Sequence, residues 1–201
     1  MSRNYIILIV IFIAVFVFLL IRSNTKSTNG ESAPRSIENT PLATQSLQTW
    51  KEFVWKEGNF RIMLPTKPHH VTDKVRDDKS NEVRIYDTFV SADPLGQGYM
   101  ISMITFLKPI SSENVEELLN SVVRDTINRT KDNKLNKMKT STLKGYKAID
   151  FSYDNNNRVI HGKVFAINNT VYLLGVIDNN PDPDTKEIDY FMNSFDTLSE
   201  K

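Results

Sequence analysis

The 201-residue chain has no cysteine, which removes disulfides, thiolate metal sites, thiol nucleophiles and lipid attachment at a mature N-terminal Cys. Histidine is almost as scarce, with only His69, His70 and His161. Adjacent strand residues point to opposite faces, so His69 and His70 do not chelate one metal together. Neither sign of charge dominates: 25 basic and 24 acidic residues leave a formal net charge of +1. That balance excludes a surface built to neutralise nucleic-acid phosphates, so no nucleic-acid partner is expected. A G-x-S-x-G elbow is missing, as is a Ser-x-x-Lys with its companion motifs. No catalytic residue, cofactor or metal is therefore assigned, and the chain is expected not to be an enzyme.

What the chain does have, first of all, is an apolar run. Residues 5–21 are all apolar or aromatic, with Arg3 before them and Arg22 after. As a helix they rise roughly 26 Å, enough to span a bilayer's hydrocarbon core. A cleaved signal peptide would end in a small-x-small site, whereas Leu19, Leu20, Ile21 and Arg22 stand there. The expectation is a single-pass anchor in a bacterial inner membrane, its partner the lipid bilayer, with Arg3 and Arg22 reaching the two interfaces. Basic residues near the span are nearly balanced, Arg3 and the α-amino group against Arg22, Lys26 and Arg35. A following domain translocates largely regardless of its charge, so the C-terminal part is expected outside the cytoplasm.

Residues 1–4 form a short tail, and residues 22–49 are dense in Ser, Thr, Asn and Gln, with Gly30, Pro34 and Pro41 and no apolar periodicity. They read as a flexible linker with a reach of roughly 30 Å. Residues 50–201 carry the globular domain, opened by Trp50, Phe53 and Trp55.

Within that domain, alternation predicts strands over 58–64, 69–75, 83–89 and 99–106, the last apolar on both faces as a central strand is. Val115, Leu118, Leu119, Val122, Val123, Thr126 and Ile127 recur at three and four, which predicts a helix over 113–129 with Ser112 as its N-cap. Strands follow over 146–153, 158–167 and 171–177. Asn-rich connections at 154–157 and 168–169 between them suit hairpins with left-handed residues. Asp182 and Pro183 start a last helix whose stripe is Ile188, Phe191, Met192 and Phe195. The fold class is α+β: a largely antiparallel sheet packed with two main helices, preceded by the membrane helix.

Three stretches carry a resemblance. They are Gly58-Asn59-Phe60-Arg61-Ile62-Met63-Leu64-Pro65-Thr66-Lys67-Pro68, Val171-Tyr172-Leu173-Leu174, and Phe191-Met192-Asn193-Ser194-Phe195. In these and in the order of its elements the domain resembles the PsbP-like family of photosystem accessory proteins and bacterial envelope proteins. The resemblance implies a PsbP-like sandwich and an accessory or assembly role outside the cytoplasm, with an envelope protein as partner. It implies no shared catalytic residue.

Two local patterns remain. Residues 178–184 place side-chain oxygens at alternate positions as a calcium loop does, but Pro183 stands where the loop needs Gly, and Asp189 is shorter than the bidentate Glu. Lys131, Lys134, Lys137 and Lys139, with Lys144 and Lys147 nearby, form the one basic concentration. They suit a lysine-protected edge strand. The alternative is a docking face for an anionic lipid surface or an acidic partner. Met100, Met103, Phe106 and Tyr172 suit a core, or else the lining of a small-ligand or lipid cleft.

Overall fold

The structure, a computed structural model, describes residues 47–76, 82–156, 158–178 and 185–198. The apolar run 5–21, Arg3, Arg22, the linker up to residue 46 and the Asp182-Pro183 helix start lie outside the described residues. Among those that are described, no helix is long and apolar enough to cross a membrane.

Among the described residues, ten strands and two helices make three layers. Strands β1 (Lys51–Trp55), β2 (Phe60–Leu64) and β10 (Asp196–Thr197) form a small antiparallel sheet in the order β1-β2-β10. The large sheet takes β3 (His69–Arg76), β4 (Val83–Ala92), β5 (Gly98–Thr105), β6 (Lys134–Leu143), β7 (Tyr146–Asn155), β8 (Arg158–Ile167) and β9 (Thr170–Asp178). Its order is β3-β4-β5-β9-β8-β7-β6, antiparallel throughout. Helix α1 (Val115–Ile127) lies on one face of this sheet; the small sheet and α2 (Thr185–Ser194) cover the other.

The two-residue period of a strand decides which side chains enter which core. On β5, Tyr99, Ile101 and Met103 face the small sheet and α2, while Ile104 packs on the α1 side. Phe60, Ile62 and Leu64 of β2 alternate into the first core. There Phe191 and Phe195 close the stack, Phe195 lying 4.8 Å from Phe165 and 5.6 Å from Phe60 between ring centres. Each such ring, fully buried, contributes about 3 kcal/mol of transfer free energy. Leu119, Val123 and Ile127, spaced at four, make the α1 stripe that covers Ile149, Phe151, Val164 and Val171.

The Asn turns behave as expected. Asn156 and Asn168 have φ of 47° and 54°, left-handed values that asparagine tolerates. The β6–β7 hairpin closes through Lys144 and Gly145 at 49° and 86°, the twist a two-residue hairpin favours.

Two expectations change. The first helix starts at Val115, with Asn114 and not Ser112 at the cap position and no side-chain cap. Ser111 Oγ accepts from the Glu113 N–H (3.4 Å) and the Ser111 carbonyl from the Asn114 N–H (3.1 Å), so residues 111–114 close a separate turn first. The aromatic opening also proves to be β1, paired with β2 into a second sheet.

The suggested cleft residues are packing residues. Met103 and Tyr172 are buried in the α2-side core, Phe106 packs in the α1-side core, and Met100 lies against Gly175.

Candidate interaction surface

The lysine-rich segment becomes β6, an outermost strand of the large sheet. Lys134 stands opposite Asp154, Lys137 opposite Ser152 and Lys139 opposite Asp150. A regular strand would put Lys134 and Lys137 on opposite faces, because they are an odd number of residues apart. The register shift between Leu135 and Lys137 absorbs one residue and brings Lys134, Lys137 and Lys139 onto the same face. That is the face away from α1, since Met138, between Lys137 and Lys139, packs in the α1-side core. All three lysines are exposed. Lys163 of β8 continues the row inward and forms an ion pair with Asp150. Lys131 stands apart, on the turn after α1.

The sequence signals for this surface were the lysines alone; the bulge that aligns them leaves no mark in composition. A bulge and lysines at an edge also discourage addition of a further strand. What the arrangement leaves exposed is therefore a face of side chains in which lysines outnumber carboxylates.

Polar side chains also meet elsewhere, first around His70. The His70 ring stacks on Phe89 at 4.2 Å, and its Nε2 lies 2.9 Å from Asp87 Oδ1 and 3.1 Å from Thr72 Oγ1. This Thr, His and Asp set is not a proton relay. A relay places the two ring nitrogens between hydroxyl and carboxylate, whereas here one nitrogen touches both and Thr72 donates directly to Asp87 at 2.6 Å. His69 is exposed on the opposite face, as adjacent strand positions require.

A second group sits beside α2. The Tyr99 phenol, fully buried, faces the carboxylates of Asp93, Glu187 and Asp178; burial and these charges push it far above its ordinary range. Asp93 is raised by burial, offset by backbone N–H groups of Gln97 and Leu95, each 2.9 Å away. His161 is lowered by burial against the pull of Asp178 and Asp189. Residues 179–184 of the calcium-loop pattern lie outside the described residues. Among those described, no three His, Asp or Glu side chains are arranged to hold a metal ion.

The third is Arg129, just beyond α1. Its Nη1 is shut off from solvent without an acceptor, a state that costs about 1 to 3 kcal/mol. Burial lowers the guanidinium to about 10, with Tyr153, Asp125 and Tyr86 pulling it back up. It stays charged at neutral pH.

No family model matches the sequence, and comparison with curated proteins finds no match. Solved structures do match. The solution structure of cyanobacterial PsbP (CyanoP) from Synechocystis sp. PCC 6803 superposes with a TM-score of 0.51 at 14% identity. The match covers 82% of this chain and 98% of that one. At that identity the likeness speaks for architecture alone. With its two helices on a large antiparallel sheet, the chain has a PsbP-like fold.

Proposed function

We propose that this protein is a membrane-tethered, extracytoplasmic accessory domain, without catalysis of its own, that docks an acidic envelope protein through the lysine face of β6. The observation that carries this reading is the bulge. It sets three exposed lysines in one row with Lys163 behind them, more positive charge than Asp150 and Asp154 offset. The apolar run 5–21 supplies the tether, and the linker supplies reach beyond the headgroups. The fold supports an accessory role by analogy.

The test is affinity capture of the full-length protein from its own cross-linked membranes, beside a variant carrying Lys134→Glu, Lys137→Glu and Lys139→Glu. The expected outcome is a captured protein whose binding weakens as salt rises. The triple variant, still folded by circular dichroism, should lose about tenfold or more of that binding. Equal capture by both chains would rule out the lysine face as the docking surface.

A further inference from the structure

The large sheet has two outer edges, and they are built differently. At β6 the bulge and the lysines guard the edge. At β3 the register to β4 runs unbroken from His69↔Val90 to Arg76↔Val83, and among the described residues no strand lies beyond it. Every residue of β3 except Val75 is exposed, and Val71 keeps 49% of its surface open.

Charge divides this strand. Asp73, Lys74 and Arg76 stand in its second half, whereas His69, His70, Val71 and Thr72 open it. The Lys74 N–H donates to Asp73 Oδ1 at 2.8 Å, so it turns outward, away from β4. By the alternation of an antiparallel ladder, the N–H and C=O groups of His70 and Thr72 turn outward as well. The second half of the edge is thus partly covered by its own carboxylate, and the first half presents a backbone able to take another strand.

We propose that this edge pairs with β3 of a second copy of the chain, antiparallel, around a two-fold axis through Val71. Side chains opposite each other in a ladder share a face, so the axis of such a pair passes through a residue and not between two. Charge selects the residue. An axis at Asp73 sets two carboxylates together and one at Lys74 two ammonium groups, both repulsive. An axis at Thr72 opposes apolar Val71 with Asp73, and one at His70 crowds two rings that each lie against Asp87. An axis at Val71 makes an apolar pair of the two Val71 side chains. On either side of it, His69 of one copy meets Asp73 of the other, an imidazole N–H facing a carboxylate. His70 and Thr72 then exchange backbone hydrogen bonds across the join, while their side chains keep their contacts to Asp87. Only the stretch from His69 to Asp73 pairs within the strands, less than a standard interface, so the contact is weak in dilution and gains where copies share a surface.

The chain has no cysteine, so a single introduced thiol reports its own neighbourhood. Val71→Cys, Asp73→Cys and Val75→Cys are each oxidised in the full-length protein in its own membranes and read as dimer on a non-reducing gel. Position 71 meets its own copy at roughly 4.5 Å between Cα atoms, within reach of a disulfide. Positions 73 and 75 lie roughly 14 and 27 Å from theirs. Val71→Cys should therefore give about fivefold more dimer than either other variant. Adding His69→Asp to Val71→Cys opposes carboxylates on both sides of the axis and should lower the yield about threefold or more. Adding Asp73→Lys to that chain reverses the pair and should restore it. Lys134→Glu, Lys137→Glu and Lys139→Glu in the Val71→Cys chain should leave the yield unchanged, which separates this contact from docking at β6. No dimer, equal yields at the three positions, a maximum at 73 or 75, a cross-link to another protein alone, or no recovery on charge reversal overturns the proposal.

Discussion

At the scale of single residues, Gly162 and His161 are neighbours with opposite surroundings. A Cβ on Gly162 would meet the Phe151 ring at 2.2 to 2.7 Å. Phe151 is buried under α1 and has nowhere to go. Gly162→Ala should therefore cost about 1 to 3 kcal/mol in urea unfolding, as overpacking does. Gly145→Ala meets nothing within 4 Å but must hold φ at 86°, which costs about 1 kcal/mol. His161 has a folded pKa below its ordinary 6.5, chiefly through burial. The unfolded chain then takes a proton before the native one. The stability this histidine contributes is present above 6.5 and is lost as pH falls toward the folded value. His161→Gln should flatten that decline in urea unfolding followed just above and about a unit below 6.5. Asp93, raised by burial, works in the opposite sense, and in the lower carboxylate range. None of these surroundings was legible in the sequence: His161 simply fell on the strand expected over 158–167, and Arg129 did not stand out at all. Burial of a particular atom depends on three strands and a helix meeting, which no local pattern encodes.

At the scale of elements, periodicity served well where one face of a strand or helix is buried. The hairpins through β9 and both helix stripes follow from it, and the central position of β5 follows from apolar residues on both faces. It failed for β1, whose residues alternate between Phe53 and Trp55 on the inside and Glu52 and Val54 outside, over only five positions. It failed for β10, a two-residue strand whose Asp196 pairs with Arg61 at 3.0 Å. One hydrogen bond between the two sheets was equally hidden: the buried Tyr172 hydroxyl donates to the Gly58 carbonyl at 2.9 Å. Tyr172→Phe keeps the ring among Phe60, Phe165 and Phe195 but leaves that carbonyl unpaired. The expected loss is about 1 to 2 kcal/mol, read as a lower thermal midpoint with the circular dichroism of the native sheet retained. An unchanged midpoint would mean that the small sheet is held by the aromatic stack alone.

At the scale of the whole molecule, the question is what a row of lysines on one face can reach. The packed domain extends back to Leu47, which joins the same core as Trp50 and Tyr190, with the Trp50 ring 4.9 Å from Tyr99 and 5.5 Å from Tyr190. If residues 22–49 act as the expected linker, its last residues, from Leu47, are already held at the core, so the rest of it would set how far from the bilayer the proposed docking face can travel. If residues 5–21 span the membrane, the full-length chain stays in the pellet after alkaline carbonate extraction, and a chain beginning at residue 47 is released while keeping its thermal midpoint. Recovery of the full-length chain in the supernatant would remove the tether. Orientation is a separate matter, because the basic residues flanking the apolar run are nearly balanced. Protease added to spheroplasts should digest the domain if it lies outside the cytoplasm. A protected domain would turn the lysine face toward the cytoplasm, where an acidic leaflet competes with any acidic protein for the same charges.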